Sequence, residues 1–343
     1  MTNQLQRIAV IGAGLSGSTL SQRLSAAGLD VTLFEKSRGT GGRLASSRLG
    51  ENSVDLGAPF FDPISSDFAS WLSEYQVIDD WHPRVKRFLS EEPSAQAHYL
   101  LSSPRQSAFT RQLCKDAELI TSTRIETVTS VDSAISLVDE QQVIHGHFDA
   151  VISAAPAQQA VQLLKDCPKM RQAAEQAMPE ACWVLIVELK VSETTAVDLF
   201  HGSHPVLARC VKNSSKPGRD ENSQTEIWSI EANALWSETQ LNNNSEAVAL
   251  TLLQNFLATT GIEAELVNKR CHRWLYCRYP ASEIDFLWDA ELKIGACGDW
   301  LSCGGLEGAW RSANKLADTI LHNKDPDQRH TEPSVLKQIV CEN

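Results

Sequence analysis

A glycine-rich turn near the start of the chain limits what the chain can fold into. Residues 7–11 form a short β-branched run, GAGLSG follows, and an alanine- and leucine-bearing helix extends to about Ala27. Gly12 permits a tight turn, Gly14 lets the backbone approach a pyrophosphate, and Gly17 lets helix and strand pack closely. The pattern predicts the strand–turn–helix that opens a dinucleotide-binding domain.

An acidic residue at the end of the next strand supports this interpretation. Gly28 ends the helix as a C-terminal cap, and residues 31–35 form a second strand. Glu35 lies eighteen residues after Gly17, where a carboxylate accepts hydrogen bonds from a ribose diol. The N-terminus of the helix offers free N–H groups and partial positive charge to the phosphates. The alternative is a turn that only resembles this fingerprint, and the strand, helix and acid around it argue against that.

Two further motifs distinguish FAD from NAD. RGTGGR, residues 38–43, follows the second strand, where its glycines let a loop cross close to a cofactor and Arg43 reaches the phosphate or flavin end. A plain NAD dehydrogenase has no need of this loop, and a flexible basic loop is the alternative. GDW, residues 298–300, ends a late strand, and GGLEG, residues 304–308, opens the last helix.

Asp299 in the second of these motifs stands beside a helix N-terminus, which suits a ribityl hydroxyl and the flavin pyrimidine ring. The positive end of the helix would stabilise negative charge at the N1–C2=O edge of a reduced flavin. An ordinary helix cap by Asp299 is the alternative. Taken together, the motifs predict FAD. The binding is predicted to be non-covalent, because no cysteine or histidine falls in a recognisable attachment motif; Cys303 is the only thiol close to the flavin end in sequence.

The middle of the chain predicts a second sheet. CWVLIVELKV, residues 182–191, is long and rich in β-branched residues, which indicates a separate domain. Residues 212–224 predict a polar, solvated loop, and residues 323–343 predict a poorly ordered tail. The other predicted strands are 54–58, 124–131, 134–138, 145–154, 226–230, 269–275 and 292–297, and the other predicted helices are 70–81, 157–164, 246–259 and a last one to about 321.

The composition excludes several classes of protein. A chain of 343 residues exceeds one compact core, which predicts one intertwined two-domain unit. Acidic residues outnumber basic ones 43 to 31, and the formal charge of -12 argues against nucleic acid as a partner. The absence of any run of eighteen apolar residues argues against a membrane span, and the early glycine turn leaves no room for a cleavable signal, so a cytoplasmic location is predicted. The nine cysteines have no metal-site spacing, which predicts reduced thiols and no metal.

Several motifs together resemble the renalase-like flavoproteins of the amine-oxidase-like FAD superfamily. They are VIGAGLSG, EKSRGTGGR, DLGAPFF, CGDW with EGAW, and HRWLYCRY, and the likeness extends to about residue 322. WSIEANALWS and HRWLY point to the bacterial branch. The resemblance implies an α/β fold in which a two-dinucleotide-binding-type FAD domain, Rossmann-like with a parallel sheet, interleaves with a smaller antiparallel-sheet substrate domain. The implied divisions are an FAD-binding domain at 1–62, 104–158 and 290–322, a substrate domain at 63–103 and 159–289, and a polar tail at 323–343.

The resemblance also implies an activity and the residues that serve it. Renalase-like enzymes oxidise the dihydro isomers of NAD(P) reduced at ring position 2 or 6 back to NAD(P)+ by hydride transfer to flavin, and O2 is reduced to hydrogen peroxide. A small-molecule dinucleotide and O2 are therefore the implied partners. The cofactor-binding residues implied by motif are Gly12, Gly14, Leu15, Gly17, Glu35, Lys36, Gly42, Arg43, Ala58, Ile125, Asp299 and Leu306. The implied substrate-binding residues are Phe60, Phe61, Asp62, Leu100, Ser102, Cys182 and Gly305.

Two positions depart from the pattern of the bacterial relatives. These relatives tend to carry an arginine where this chain has Gly305 and a histidine where it has Glu231. The first departure removes a cation near the mouth of the pocket, which bears on the identity of the substrate.

The implied chemistry needs a flat, largely apolar pocket and no catalytic base, because aromatisation of the ring drives the loss of hydride. Phe60, Phe61, Trp274 and Tyr276 are either walls of that pocket or core residues. His272 is interpreted as structural, so no catalytic side chain is predicted. The alternatives are an FAD amine oxidase or desaturase-like enzyme, a flavin-binding redox sensor without turnover, and, third, an NAD dehydrogenase.

Overall fold

The computed structural model describes residues 5–90, 92, 95–131, 134–219 and 225–322, so the predicted tail at 323–343 lies outside the described residues. The helices are α1 (Leu15–Ala26), α2 (Ser66–Ser73), α3 (Ser107–Leu113), α4 (Ala157–Leu163), α5 (Pro168–Gln176), α6 (Ala234–Thr239), α7 (Ser245–Thr260) and α8 (Gly305–His322). The first ten strands are β1 (Arg7–Ile11), β2 (Asp30–Phe34), β3 (Ser46–Leu49), β4 (Asn52–Asp55), β5 (Ile78–Trp81), β6 (Arg84–Arg87), β7 (Ala95–Gln96), β8 (Tyr99–Ser102), β9 (Glu118–Ile120) and β10 (Ile125–Val131). The later strands are β11 (Ala134–Asp139), β12 (Ile144–Phe148), β13 (Ala150–Ser153), β14 (Glu180–Val191), β15 (Leu199–His201), β16 (Leu207–Lys212), β17 (Thr225–Ala232), β18 (Ala264–Arg278), β19 (Leu287–Asp289) and β20 (Ile294–Ala296).

A six-stranded sheet in the order β19-β20-β13-β1-β2-β9 carries the glycine turn. Its neighbouring strands run parallel except for β19, which is antiparallel to β20. Side chains alternate across β1, so that Ile8 and Val10 pack with the apolar faces of α1 and α8, whereas Ala9 and Ile11 pack into a second core on the other face. This parallel sheet with both faces covered confirms the predicted α/β fold class.

The second core lies between that sheet and a three-stranded antiparallel sheet, β10-β11-β12. The predicted strand over residues 145–154 is two strands in two different sheets, β12 and β13. The chain bends between them at Asp149, whose carboxylate accepts hydrogen bonds from the backbone N–H groups of Gln6 and Arg7 at 2.8 and 2.9 Å. This contact with residues 6 and 7, more than 140 positions earlier, therefore divides a run of residues that looks continuous in sequence.

A seven-stranded sheet in the order β18-β14-β17-β16-β15-β6-β7 forms the second unit. It is antiparallel apart from the parallel pairing of β15 with β6. One face is covered by α7, which buries Val248, Leu252 and Phe256 against apolar side chains of β14 and β17. The predicted antiparallel second sheet and the predicted helix at 246–259 are therefore present.

The predicted helix over residues 70–81 is wrong in both bounds. The hydroxyl of Ser65 accepts a hydrogen bond from the backbone N–H of Phe68 at 3.2 Å and starts α2 earlier, and α2 ends at Ser73. Residues 78–81 form β5, which pairs antiparallel with β8. The aromatic spacing that looked helical comes from side chains that pack in different places, with Trp71 near Phe109 and Trp81 beside Phe60.

The packing of the helices bears on the predicted domain limits. Side chains of α4 and α5, including Leu163, Met170 and Ala174, belong to the same core as Ile11 of the parallel sheet. Similarly, β19 pairs within the parallel sheet. The division at 159 and 289 stays a prediction, and this packing argues for moving both limits so that α4, α5 and β19 join the FAD-binding domain. Among the helices described, none is long and apolar enough to span a membrane.

Candidate cofactor and substrate site

The glycine turn joins β1 directly to α1. Gly12 donates its backbone N–H to the carbonyl of Phe34 at 2.8 Å, and Ser18 closes the first helical turn on the carbonyl of Gly14 at 2.9 Å. A Cβ atom on Gly17 would lie 1.9 Å from the carbonyl oxygen of Gly12, so only glycine fits there. The N-cap residue Gly14 provides no side-chain acceptor, and the first turn of α1 holds no acidic residue. The helix N-terminus is thus left for an external anion such as a pyrophosphate.

The RGTGGR loop lies against this turn, as the sequence predicts. Gly41 donates its N–H to the carbonyl of Ala13 at 2.8 Å and forms a parallel bridge with Gly14. Gly42 has a φ of 52°, and a Cβ atom there would come within 3.0 Å of the Cα of Gly14. Two strips of bare backbone therefore meet at the N-terminus of α1.

Glu35 is buried and fixed at the end of β2. Its Oε2 accepts a hydrogen bond from the N–H of Ala13 at 2.9 Å, and its Oε1 accepts one from the N–H of Ser37 at 2.8 Å. Each carboxylate oxygen has a second lone pair, so the carboxylate remains able to accept from a ribose diol. Ile125 starts β10 nearby, since the N–H of Thr123 donates to the carbonyl of Glu35 at 3.0 Å.

Lys36 follows Glu35 just after the end of β2 and is exposed. Its Nζ donates to Oε1 of Gln159 at 2.8 Å. Partial burial and the charge of Arg124 lower the pKa of Lys36. Its predicted contact with the cofactor stays a prediction.

Arg43 and Asp299 form a pair that the sequence did not reveal. Nη1 and Nη2 of Arg43 donate to the two carboxylate oxygens of Asp299 at 2.7 and 2.5 Å, and Nη1 also donates to the carbonyl of Cys277 at 3.2 Å. Burial opposes the charge on Arg43, but the carboxylate of Asp299 outweighs it and raises the pKa of Arg43. Sequence reasoning assigned both residues separately to the cofactor, so their motifs could be found but the bidentate bond between them could not.

The remaining predicted cofactor residues surround this pair. The N–H of Ala58 donates to the carbonyl of Arg43 at 2.8 Å, and Leu15 is buried in a core cluster against which Ala58 and Leu306 pack. Gly12, Glu35 and Asp299 follow the carboxyl ends of β1, β2 and β20, at one edge of the parallel sheet. Bare glycine backbone, an uncapped helix N-terminus, a fixed acid and a charged pair are what an extended dinucleotide needs.

A cavity of about 360 Å³ opens beside the seven-stranded sheet. Phe60 and Asp62 line it, as predicted, and Phe60 stacks on Tyr99 with ring centroids 4.1 Å apart and an interplanar angle of 24°. The other lining residues are Leu199, His201, Gly202, Ala208, Arg209, Glu231 and Arg278.

The other predicted substrate residues lie elsewhere. Phe61 is fully buried and packs edge-on against Phe68 and Phe109, and Leu100 pairs with Phe61 through the backbone. The other three are placed as follows: Ser102 is buried and its N–H donates to Gln106 Oε1, Cys182 is buried in a core with Val54 and Leu56, and Gly305 is the first residue of α8. Their roles in substrate binding stay predictions, and the structure brings only Phe60 and Asp62 to the cavity.

Glu231 is the buried acid of the cavity wall, and it is held by two arginines. Nη2 of Arg209 donates to Oε2 of Glu231 at 2.5 Å, and Nη2 of Arg278 donates to Oε1. Burial opposes ionisation of Glu231, but the charges of Arg209 and Arg278 outweigh it and hold its pKa below the usual range. The sequence marked Glu231 only as a departure, because the two arginines stand 22 residues before it and 47 after it.

A second buried ion cluster joins the β3–β4 hairpin to the segment that follows β16. The carboxylate of Asp55, at the end of β4, accepts from Nζ of Lys216 at 2.9 Å and from Nη2 of Arg219 at 2.7 Å, and all three side chains are buried. Lys212 is buried as well. The predicted solvated loop over 212–224 is thus wrong for the buried residues Lys212, Asn213, Lys216 and Arg219, and residues 220–224 lie outside the described part of the chain.

The energetics of this cluster follow from its burial. Burial opposes the charge on Asp55, but Lys216 and Arg219 outweigh it and lower its pKa. Burial lowers the pKa of Lys216 to about 8 against the raising effect of Asp55. The signal available in sequence was an isolated acid in DLGAPFF and two basic residues in a polar stretch, which do not reveal each other.

The aromatic residues of HRWLY do not line the cavity. Nε1 of Trp274 donates to the carbonyl of Leu56 at 3.1 Å, and Tyr276 packs against the core beneath the parallel sheet. His272 is half-buried and meets Trp274 edge-on, and burial followed by the charge of Arg270 lowers its pKa. This placement agrees with a structural histidine.

Comparisons with known proteins agree with this architecture. Residues 10–75 match the family described as NAD(P)-binding Rossmann-like domain. Flavin-containing monooxygenase ustF1 of Aspergillus flavus is 52% identical over 40 residues, which are 12% of this chain and 10% of the monooxygenase. This chain therefore matches about a tenth of the length of that relative.

Solved structures resemble nearly the whole chain. A putrescine oxidase bound to putrescine has a TM-score of 0.67 at 11% identity and covers 92% of this chain and 99% of its own. A fatty acid isomerase from P. acnes that produces CLA has a TM-score of 0.69 at 10% identity, covering 92% and 98%. An oxidoreductase from Methanosarcina mazei has a TM-score of 0.66 at 12% identity, covering 91% and 100%. These likenesses show the fold, and FAD is the cofactor that this fold and these residues fit.

Proposed function

We propose that this chain is an FAD-dependent oxidase that converts the 2- or 6-dihydro isomers of NAD(P) to NAD(P)+ and reduces O2 to hydrogen peroxide. The observation that carries the proposal is the wall of the cavity, where the buried carboxylate of Glu231 already holds two guanidinium groups. Such a wall favours a substrate with a neutral ring and anionic groups over a cationic amine.

The chain's own residues would divide the work of holding the cofactor. The N-terminus of α1 and the backbone of Gly41 and Gly42 would bind the pyrophosphate, and Glu35 the adenosine ribose. Asp299, oriented by Arg43, would accept from the ribityl end. When bound, FAD supplies a two-electron acceptor that O2 can reoxidise.

The cavity residues would bind and orient the substrate. The stacked rings of Phe60 and Tyr99 offer a flat apolar surface for a dihydropyridine. The reaction removes one hydride from the ring and consumes one proton and one O2, giving the aromatic cation and hydrogen peroxide. It needs no side-chain base, which fits a cavity whose buried carboxylate is committed to arginines.

An amine oxidase is the alternative that the likeness to putrescine oxidase favours. An ammonium group, however, would enter beside Arg209 and Arg278, and like charges at close range oppose its binding. The cavity therefore argues for the dihydronicotinamide over the amine.

The experiment begins with the visible spectrum of the purified protein before and after acid precipitation, which reports the flavin and whether it is covalently held. The protein is then mixed without oxygen with the products of borohydride reduction of NAD+, with ordinary NADH, and with putrescine. We expect bleaching of the flavin by the 2- or 6-dihydro isomers, and peroxide on admission of O2. Bleaching by putrescine and not by these isomers would overturn the proposal.

A further inference from the structure

The charged wall of the cavity is built from three strands. Glu231 of β17 stands opposite Arg209 of β16, whereas Arg278 lies at the end of β18, beyond the intervening strand β14. Both arginines converge on the one carboxylate, each through a single Nη2 atom. The cluster therefore carries one more positive than negative charge.

Most hydrogen-bond donors of these arginines are not used by Glu231. A guanidinium has five N–H groups, and each arginine gives one Nη2 atom to the carboxylate. Nε of Arg209 is buried and has no hydrogen-bond partner among the described residues. The side chains of Arg209 and Arg278 are 26% and 41% exposed, so both guanidinium groups are partly open to the cavity that the two residues line, although Nε of Arg209 is not.

The surroundings favour an anion over a cation. The guanidinium of Arg209 lies 5.2 Å from the ring centroid of Phe60, which fixes it beside the Phe60–Tyr99 stack. His201, also in the lining, has its pKa lowered by burial and by neighbouring arginines, and so is neutral at pH 7. Asp62 is exposed, so solvent screens the repulsion between its carboxylate and an anion.

We infer that Arg209 and Arg278 form a subsite for the phosphate of a dihydronicotinamide nucleotide, with Glu231 as the positioning residue that holds both arginines and competes with that phosphate. This inference rests on the proposed function. A flat aromatic wall beside two guanidinium groups matches a nicotinamide ring joined through ribose to a phosphate. The cavity volume of about 360 Å³ is near the lower end for ligand pockets, so the subsite recognises the mononucleotide half and leaves the adenosine half outside.

The first test compares three substrates with the FAD-bound protein under anaerobic conditions: the 2- or 6-dihydro forms of nicotinamide riboside, of the mononucleotide and of NAD. We expect the mononucleotide to bind about tenfold more tightly than the riboside, the gain typical of one charge-assisted contact. NAD isomers should bind within about threefold of the mononucleotide. Equal affinities for riboside and mononucleotide would overturn the inference while leaving the proposed function standing.

Variants connect this phosphate preference to the two arginines. Arg278→Gln should reduce the mononucleotide preference to near one, and Arg278→Lys should restore part of it. Arg270→Gln is the matched control, because Arg270 is an exposed arginine on the same strand, and it should keep the full preference. FAD content and circular dichroism of each variant establish that it has folded; should Arg278→Gln not fold, Arg209→Gln makes the same test.

A binding experiment without turnover separates this inference from the proposed function. Inorganic phosphate is titrated into the FAD-bound protein and followed by the flavin spectrum and by calorimetry. Glu231→Gln removes the competing carboxylate and should bind phosphate about tenfold more tightly. A merely structural Glu231 would give weaker or unchanged binding. Phosphate binding that Arg278→Gln abolishes, in a protein that no dihydronicotinamide reduces, would uphold the anion subsite and overturn the proposed function; no phosphate binding in any form would overturn the subsite.

Discussion

The glycine turn and the two buried ion clusters, around Asp55 and Glu231, are stabilised by different forces. Around Gly12, Gly14 and Gly17, contacts run between main-chain atoms, and a Cβ atom added at Gly17 would collide with the carbonyl of Gly12. Around Asp55 and Glu231, buried carboxylates each hold two cationic side chains drawn from distant parts of the chain. The first arrangement tolerates no added volume at Gly17, whereas the second tolerates no loss of its carboxylate.

The largest loss of stability should come from a change in the Asp55 ion cluster. Asp55→Asn leaves Lys216 and Arg219 buried without a counter-charge, and the free energy of unfolding should fall by about 3–5 kcal/mol. Urea unfolding followed by circular dichroism measures it. Asp30→Asn, at an exposed ion pair with Arg7, should change stability by less than about 0.5 kcal/mol. A loss below about 1 kcal/mol in Asp55→Asn would contradict the dependence of the two buried cations on this carboxylate.

The next effect tests the main-chain side. Gly17→Ala places a methyl group 1.9 Å from the carbonyl oxygen of Gly12, so β1 and α1 must separate. We expect a loss of about 3 kcal/mol and little bound FAD, measured by urea unfolding and by the ratio of flavin to protein absorbance. Gly39→Ala is the control, because a Cβ atom there meets nothing within 4 Å. Equal stability of the two variants would contradict the close approach.

The Arg43–Asp299 pair lies where the two regions meet. Arg43→Lys keeps the charge but loses the bidentate geometry, and we expect FAD affinity to fall about 30-fold, or about 2 kcal/mol. Fluorescence of released flavin on dilution measures this. Arg38→Lys, an exposed change in the same loop, should leave the dissociation constant nearly unchanged. A similar fall in both variants would mean that the bidentate bond to Asp299 is not what sets the effect.

The smallest effect is a pH dependence in the cavity wall. The folded pKa of Glu231 is lowered, so its stabilisation is present above the unfolded value of about 4.3 and is lost as pH falls through the folded pKa. Glu231→Gln lacks this contribution. Its deficit in stability relative to the unaltered protein at pH 7 should therefore shrink below pH 4.3, with a slope of at most about 1.4 kcal/mol per pH unit. A pH-independent deficit in urea unfolding would contradict an ionised, arginine-bound Glu231.

The same contrast explains what could be predicted from sequence. The backbone geometry of Gly12 to Gly17 and of the RGTGGR loop can be predicted from a few neighbouring residues, because steric limits on the backbone are local. A second sheet could be predicted from CWVLIVELKV, because β-branched residues favour strands, but its seven strands could not. Local pattern failed where a distant group decides the outcome: Asp149 bends the chain because residues 6 and 7 reach it, more than 140 positions earlier.

The charged clusters could not be predicted because the partner of each charged residue lies far away in the sequence. Lys216 looks like a solvated lysine until Asp55, 161 residues away, is placed beside it. Arg43 and Asp299 were each assigned to the cofactor, and nothing in either motif indicates the bond across 256 positions. Cys182 and Phe61 were predicted to bind substrate from their positions in the motifs. The direction in which a side chain leaves a strand depends on register, however, and register is fixed only in the folded sheet.

The strand order of the parallel sheet has a consequence for how the protein is made. β1 lies between β2 and β13, β20 pairs with β13, and the last helix packs on the first, with Arg23 bonded to Asn314. β20 and α8 begin more than 280 residues after β1 and α1, so the opening strand and helix lack these partners until most of the described chain has been synthesised. Such long-range pairing makes folding slow and exposes the unfinished sheet. The glycine turn therefore gains its full support late, although its own geometry is set by a few residues.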